Sequence, residues 1–438
     1  MLARSFPSEA WLPKSVLCLR DYNLNKFLRD LVAGITVGLV ALPLAMAFAI
    51  ASGLSPQAGI YCAVVTGFLI SLLGGSKTQI GGPTGAFVVV IAGIIAAHGV
   101  DGLFMCTVMA GLMLVIMGLT GMGSAVKFIP RPIVIGFTNG IAILIASTQV
   151  KDFFGLKLET VPGVFHTLSY DAAALAVGTV LIIAICRGIS NRIPGAIVAM
   201  TVGTLAVRIF HLPVETIASR FGGIPSGLPH LEIPAFRPEL IHGLLGPALT
   251  VAMLGAIESL MSAVVSDRMS NDRHNPNVEL VAQGFANVVS PMFGGLPATG
   301  AIARTATNIR SGAQSPVAGI IHAVTLLAIL LFAAPVVSFV PMSVLAGILM
   351  VVAYNMGEWM EIPSLLKLTK TDVSVWLVTL ALTVFADLTV AVQAGMILAA
   401  LLFISRVAAT TTVSQVTDDY IEDGRVHILQ DKDIPYYA

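Results

Sequence analysis

The chain has 438 residues, of which 56% are hydrophobic and only 11% charged, with a mean hydropathy of +0.90. No single water-soluble core of this length could bury so much apolar surface, which excludes an ordinary soluble domain and places the chain in lipid. The formal net charge is zero, which carries no information about a bound solute because site charges are local.

Met1 to Arg29 holds five basic residues and lacks the apolar run of a cleavable signal peptide, so residues 1–28 read as a cytoplasmic lead-in. Several later windows, such as 31–51, 103–125 and 244–265, are long enough to cross about 30 Å of hydrocarbon. Backbone satisfaction in lipid then requires helices, because no barrel-like alternation is present. Hydropathy and turn signals predict fourteen segments at 30–51, 57–74, 83–98, 102–122, 129–149, 171–187, 193–211, 240–266, 277–293, 299–310, 314–334, 336–353, 373–387 and 391–407.

One short phrase occurs twice, as Gly81-Gly82-Pro83-Thr84-Gly85-Ala86 and as Gly294-Gly295-Leu296-Pro297-Ala298-Thr299-Gly300-Ala301, about 213 residues apart. Glycine and proline interrupt a membrane helix, so the segments after these phrases, the third and the tenth, are predicted to be half-helices preceded by extended backbone. The implied plan is seven segments plus seven. An odd number per half turns the second copy upside down, giving an inverted repeat with the two breaks facing one another near the bilayer midplane.

Basic residues test the orientation. With the N-terminus inside, the inner side holds sixteen Lys and Arg through Arg406 and the outer side five, namely Lys151, Lys157, Arg208, Arg220 and Arg237. Both termini are therefore expected in the cytoplasm. Cys18, Cys62, Cys106 and Cys186 lie far apart, which reads as buried thiols rather than a disulfide or metal set. Residues 408–438 turn polar and acidic, and Val426-His427-Ile428-Leu429 alternates like one strand, the expected start of a truncated cytoplasmic domain.

The chemistry concentrates at three places. Glu258 lies in the eighth segment, where burying a charge costs roughly 2.5 to 3.5 kcal/mol on insertion scales, so it needs a cavity or a partner and is a candidate proton carrier. Ser262 follows one turn later on the same face. Arg304 falls in the first turns of the tenth segment, where a permanent cation beside a positive helix end favours an anion; a structural ion pair with Glu258 is the alternative. The phrases themselves offer backbone N–H groups at Thr84, Gly85 and Ala86 and at Thr299, Gly300, Ala301 and Ile302, able to hold an oxyanion between two dipole ends. Asn139, Gln283, Asn287 and Asp387 read as interhelical hydrogen-bonding groups. There is no HExxH, GxSxG or Walker phosphate loop and the eight histidines are scattered, so no enzyme activity and no cofactor are expected.

The run Asp30 to Gly38 followed by Leu42-Pro43 and Ala47-Phe48, the pair Gly82-Pro83, the run Asn275 to Asn287, and Phe293-Gly294-Gly295 through Arg304-Thr305 and Asn308 resemble the sulfate permease family over roughly residues 28 to 410. That resemblance implies a uracil-permease-like fold of fourteen segments. A core of segments 1–4 and 8–11, about 29–125 and 240–334, would carry the substrate, and a gate of segments 5–7 and 12–14, about 126–235 and 336–407, would form the scaffold and a homodimer contact. It implies elevator-type alternating access for a small inorganic anion, with Phe48, Thr84, Ala301 and Arg304 at the site, Glu258 as the coupling carboxylate, and a cytoplasmic STAS domain beginning in the tail.

Two departures stand out: Leu44 and Ala301 occupy positions where the family often has glutamine and serine. Glutamate at 258 with arginine at 304 leans toward proton-coupled uptake of sulfate in a bacterial inner membrane, ahead of sodium-coupled bicarbonate or C4-dicarboxylate transport, exchange or an anion channel. A nucleobase permease on the same fold is a further alternative. No nucleic-acid partner is expected.

Overall fold

Local sequence sets where the helices begin. Asn23, Ser55, Ser169 and Thr369 cap helices by accepting from the amides of Lys26, Ala58, Ala172 and Asp372, and Asn275 accepts from Asn277 and Val278. Pro56 and Pro276 occupy first-turn positions, where a missing N–H costs nothing. A computed structural model describes residues 11–124, 131–156, 168–190, 194–225, 227–229, 231, 237–386, 394 and 401. Its helices are α1 Lys14–Leu19, α2 Leu24–Ala51, α3 Pro56–Leu73, α4 Gly85–Leu119, α5 Arg131–Phe154, α6 Tyr170–Ile189, α7 Gly195–Phe210, α8 Ile217–Phe221, α9 Ile241–Ser270, α10 Pro276–Val289, α11 Ile302–Arg310, α12 Val317–Phe332, α13 Ala334–Val337, α14 Met342–Met356, α15 Ile362–Leu365 and α16 Lys370–Phe385. Two strands of two residues each, β1 Gly81–Gly82 and β2 Thr299–Gly300, make one antiparallel pair.

The fold is mostly helical, and seven helices among the described residues are long and apolar enough to cross a bilayer. Two shorter apolar helices, Gly195–Phe210 and Val317–Phe332, accompany them. The third and fourth predicted segments merge into α4, broken at Gly99, whose φ of 71° is open to glycine at little cost. The tenth segment is shorter than expected: Thr299 and Gly300 form strand, not helix, because they pair across to β1, and α11 starts at Ile302. The twelfth starts later, since Ala334–Val337 is a separate turn of helix. The fourteenth predicted segment, Asp387 and the polar tail lie outside the described residues, apart from positions 394 and 401.

Helix contacts fall into two sets. In one, α2 packs on α3 and α12, α3 on α10 and α12, α4 on α9 and α10, and α9 on α11; in the other, α5 packs on α14 and α16, and α6 on α7 and α14. Small residues allow the closest crossing. A Cβ on Gly111 of α4 would lie 2.7 Å from the carbonyl oxygen of Gly284 in α10, and one on Gly284 would lie 2.5 Å from the oxygen of Gly111. Backbones thus meet directly, as small-residue interfaces in lipid permit.

Buried carboxylates tie distant segments together. Asp30, fully buried in α2, accepts from the amides of Gln314 (2.6 Å) and Ser315 (3.2 Å) ahead of α12, and from Tyr22 Oη (3.0 Å). Glu279, fully buried in α10, accepts from the amides of Gly75 (2.9 Å) and Ser76 (3.0 Å) and from Gln283 Nε2 (2.9 Å). At one end, Lys14 donates its backbone amide to Gly74 and its ammonium to Asp272, joining the lead-in to the α3 and α9 ends.

Glu279→Ala would leave two buried amides and one carboxamide without acceptors, a loss on the order of 3–5 kcal/mol. The expected result is a clearly lower unfolding midpoint in detergent, with Glu279→Gln intermediate; a midpoint equal to that of the unchanged protein would contradict this role.

Candidate functional site

The two repeated phrases meet. Gly81 stands opposite Gly300 and Gly82 opposite Thr299 in antiparallel register. From this crossover the chain enters α4 through Thr84, at φ −128°, and α11 through Ala301, at φ −93°. Neither N-cap side chain closes on its helix, and the positive ends of both dipoles are brought to one place; in the first turn of α4 the Phe87 amide donates to the Thr84 carbonyl at 3.3 Å.

Side chains from α9 and α11 hold the crossover. Ser259 Oγ lies 2.6 Å from Thr299 Oγ1 and accepts from the Gly300 amide at 3.2 Å, while its carbonyl accepts from Gln79 Nε2 at 3.1 Å. The Ile80 amide donates to Thr305 Oγ1 (3.1 Å), the Ala301 amide to the Ile80 carbonyl (2.8 Å), and Asn308 Nδ2 to the Thr78 carbonyl (2.9 Å). Asn287 makes a two-way amide pair with Ala298, accepting from its N–H and donating to its C=O, both at 2.8 Å. Backbone freed by the helix breaks is thus satisfied inside the protein, as lipid demands.

Arg304 is 2% exposed, and its Nη2 donates to the carbonyl oxygen of Pro83, across the crossover. Its Nη1 has no hydrogen-bond partner among the described residues, nor does the buried Thr84 Oγ1. Glycine is required at 82 for this arrangement, because a Cβ there would fall 2.2 Å from Nη1. Phe48 is buried beside the α4 N-terminus: a Cβ on Gly85 would lie 3.3 Å from its Cε1, 3.0 Å from Ile145 Cδ1 and 3.2 Å from Met356 Sδ. An apolar wall from α2, α5 and α14 therefore faces the half-helix start.

The predicted residues are brought together unequally. Thr84, Gly85, Ala86, Phe48, Thr299, Gly300, Ala301, Ile302 and Arg304 gather at the crossover, but the Gly300 and Ala301 amides are engaged by Ser259 and Ile80. No N-cap side chain takes the first-turn amides of either helix, such as those of Gly85 and Ile302. Ser262 Oγ lies 3.2 Å from Thr305 Oγ1 and so links α9 to α11. Glu258 is half-buried, one residue before Ser259, and has no hydrogen bond or ion pair among the described residues; the ion pair with Arg304 is not formed. The charged group that bears on it is Glu358, two residues past the end of α14.

Sequence reasoning missed Gln79, Ser259 and Glu279. The four-residue spacing of Glu279, Gln283 and Asn287 was the available signal, since it places all three on one face of α10. Asn139 acts as expected between helices, donating to the Gly357 carbonyl and accepting from Trp376 Nε1 at 2.9 Å.

Ser259→Ala removes the acceptor of the buried Gly300 amide, at a cost of about 1–3 kcal/mol. A lower unfolding midpoint is expected from Ser259→Ala than from Ser270→Ala, whose hydroxyl bonds only within its own helix; equal midpoints would contradict the assignment.

Comparison with known proteins agrees with this architecture. The model of the sulfate permease family matches residues 27–379. The Bacillus subtilis protein named "Putative sulfate transporter YvdB" is 45% identical over 406 residues, covering 90% of this chain and 77% of the relative. The bicarbonate transporter BicA of Picosynechococcus is 33% identical over 433 residues, covering 91% and 76%. The solved transmembrane domain of a cyanobacterium BicA superposes with a TM-score of 0.75 at 33% identity, over 85% of this chain and 98% of that one. A murine solute carrier 26 family member shares the fold, with a TM-score of 0.80 at 17% identity, over 92% and 73%. With four-fifths of its length matched by the family model and its fold shared with a solved relative, this membrane protein belongs to the sulfate permease family.

Proposed function

We propose that the protein is a secondary active carrier of small inorganic anions, with sulfate as its first substrate. The observation that carries this reading is the convergence of two half-helix N-termini with two unengaged buried donors, Thr84 Oγ1 and Arg304 Nη1. An oxyanion seated there would accept from first-turn amides of α4 and α11 and from the guanidinium, with Phe48 excluding water. A family relative named for sulfate at 45% identity supports the choice of anion.

In this reading the helix set around α2–α4 and α9–α12 is the moving core, and the set around α5–α7, α14 and α16 is the gate of a homodimer. Each set draws segments from both halves of a fourteen-segment inverted repeat, segments 1–7 and 8–14, with both termini in the cytoplasm. Sliding of core against gate, elevator fashion, would expose the crossover to each side in turn. Glu258, uncompensated beside the crossover, serves as the proton-coupling carboxylate, with Ser262 positioning α11 beside it.

A second reading, bicarbonate as substrate, is favoured by the 33% identity to BicA and by the apolar Leu44 and Ala301, which offer few side-chain contacts to a larger polar anion.

Flux into proteoliposomes decides between them. Saturable sulfate uptake, stimulated by an inward proton gradient and uncoupled from it in Glu258→Gln, is the expected result. Sodium-driven bicarbonate uptake that sulfate does not inhibit would select the second reading, and large unsaturable currents would sink the carrier mechanism. Arg304→Ala is expected to weaken sulfate binding tenfold to a hundredfold, on the order of 1.5–3 kcal/mol for a charged hydrogen bond, as measured by calorimetric titration in detergent. Unchanged affinity in a folded variant would remove Arg304 from the site.

A further inference from the structure

The end of α7 carries basic side chains that the anion crossover does not use. Arg208 and His211, one turn apart, line a cavity of about 250 Å³ together with Thr204, Val207, Leu212 and Phe339. The Arg208 guanidinium stands over the Phe339 ring, 4.9 Å from its centroid, and makes no hydrogen bond or ion pair among the described residues. Glu215, the acidic residue nearest in sequence, is taken by Arg220. An arginine that merely snorkels extends into water, whereas this one is folded back onto an aromatic face.

Phe339 is held from both sides. The Ser338 carbonyl accepts from the Ala218 amide (2.7 Å) and the Val340 carbonyl from the Ile217 amide (3.0 Å), while Thr216 bridges to Pro341. The ring is thereby fixed beside the end of α7 although it is exposed. His211 occupies the left-handed backbone region (φ 50°, ψ 41°) that helix ends usually give to glycine, so a side chain stands here against backbone preference. Along α7, Val202, Leu205 and Ile209 are exposed at helical spacing, and Val336 next to α14 is exposed too. In a membrane protein such a face meets acyl chains. The two basic side chains thus stand where the apolar run of α7 ends, at the level of lipid headgroups.

We propose that this cavity seats the phosphodiester of an anionic membrane phospholipid of the phosphatidylglycerol type, with its acyl chains along the exposed face of α7. A guanidinium stacked on a ring keeps its edge donors free for bidentate contact with phosphate. His211 adds a second donor, since an imidazole carries at least one N–H in either protonation state. The C-terminal end of a helix is negative and opposes an anion, so these side chains must supply the attraction. Charge selects an anionic headgroup, and the apolar stripe beside it selects a lipid over a soluble anion. Bound there, the lipid joins α7 to the segment that leads into α14. The site is separate from the anion crossover and does not depend on it.

The test is a titration of the purified full chain in detergent with phosphatidylglycerol, read by native mass spectrometry of the one-lipid adduct and by the unfolding midpoint. Arg208→Ala and Arg208→Gln are expected to raise the apparent dissociation constant about tenfold or more and to abolish the lipid-induced rise in midpoint. Phe339→Leu should weaken binding severalfold in the unchanged protein and by less than about twofold in Arg208→Ala, because the ring acts through the guanidinium. Arg268→Ala, which removes an exposed cation at the far end of α9, is expected to leave the adduct unchanged. Phosphatidylethanolamine should bind more weakly than phosphatidylglycerol, and inorganic phosphate should not displace the lipid. Equal losses in the Arg208 and Arg268 variants, or unchanged binding in both Arg208 variants, would overturn the proposal. Displacement by phosphate would make the cavity a site for soluble anions instead. An Arg208 variant that breaks a dimer while keeping its lipid adduct would assign the face to a second copy of the chain, and that result also overturns it.

Discussion

The structure depends on the antiparallel contact of Gly81–Gly82 with Thr299–Gly300, two residues from each half of the chain. Opening a helix in the middle of a membrane frees backbone groups that lipid cannot satisfy, so each break needs partners from within the protein. Here each break supplies part of the other's partners. Ser259, Thr305, Asn287 and Asn308 provide the rest from α9, α10 and α11. Once the pair is made, the starts of α4 and α11 are fixed at one place, and their amides and dipoles create a local positive field in a chain of zero net charge.

Much of this was legible in the sequence. The duplicated Gly/Pro phrase identified both breaks, and hydropathy gave the helices around them, including the short α11. Other features were not legible, for definable reasons. Thr299 and Gly300 read as helix because pairing across more than two hundred residues leaves no periodic trace in so short a strand. Ser259 and Gln79 read as unremarkable polar residues because their meaning lies in distant backbone partners, a Gly300 amide and a Ser259 carbonyl. Glu279 hid inside a motif noticed for its family resemblance, although its spacing to Gln283 and Asn287 announced a polar face. Arg304 was placed at the right helix end, yet its contact with the Pro83 carbonyl, and the need for glycine at 82 that follows, emerge only from the packed geometry.

The wall opposite the half-helices shows how the proposed movement and recognition are connected. Phe48 from α2 meets Ile145 from α5 and Met356 from α14 around Gly85, so the start of α4 touches both helix sets at once. Apolar contacts of this kind are non-directional and in the proposed movement would be exchanged as one set slides on the other, whereas the hydrogen-bonded crossover would move as a unit. In the proposed site, Leu44 and Ala301 would keep the side-chain contribution to recognition small and leave backbone amides and one guanidinium as the main means of holding an anion.

The central claim is the location of that anion, and anomalous scattering from crystals grown with selenate, a heavier analogue of sulfate, tests it most directly. The account predicts a single strong selenium peak between the N-termini of α4 and α11, at hydrogen-bonding distance, about 3 Å from oxygen to nitrogen, from their first-turn amides and from Arg304. A selenate bound elsewhere, with this crossover left untouched while selenate still competes with sulfate for uptake, would contradict it.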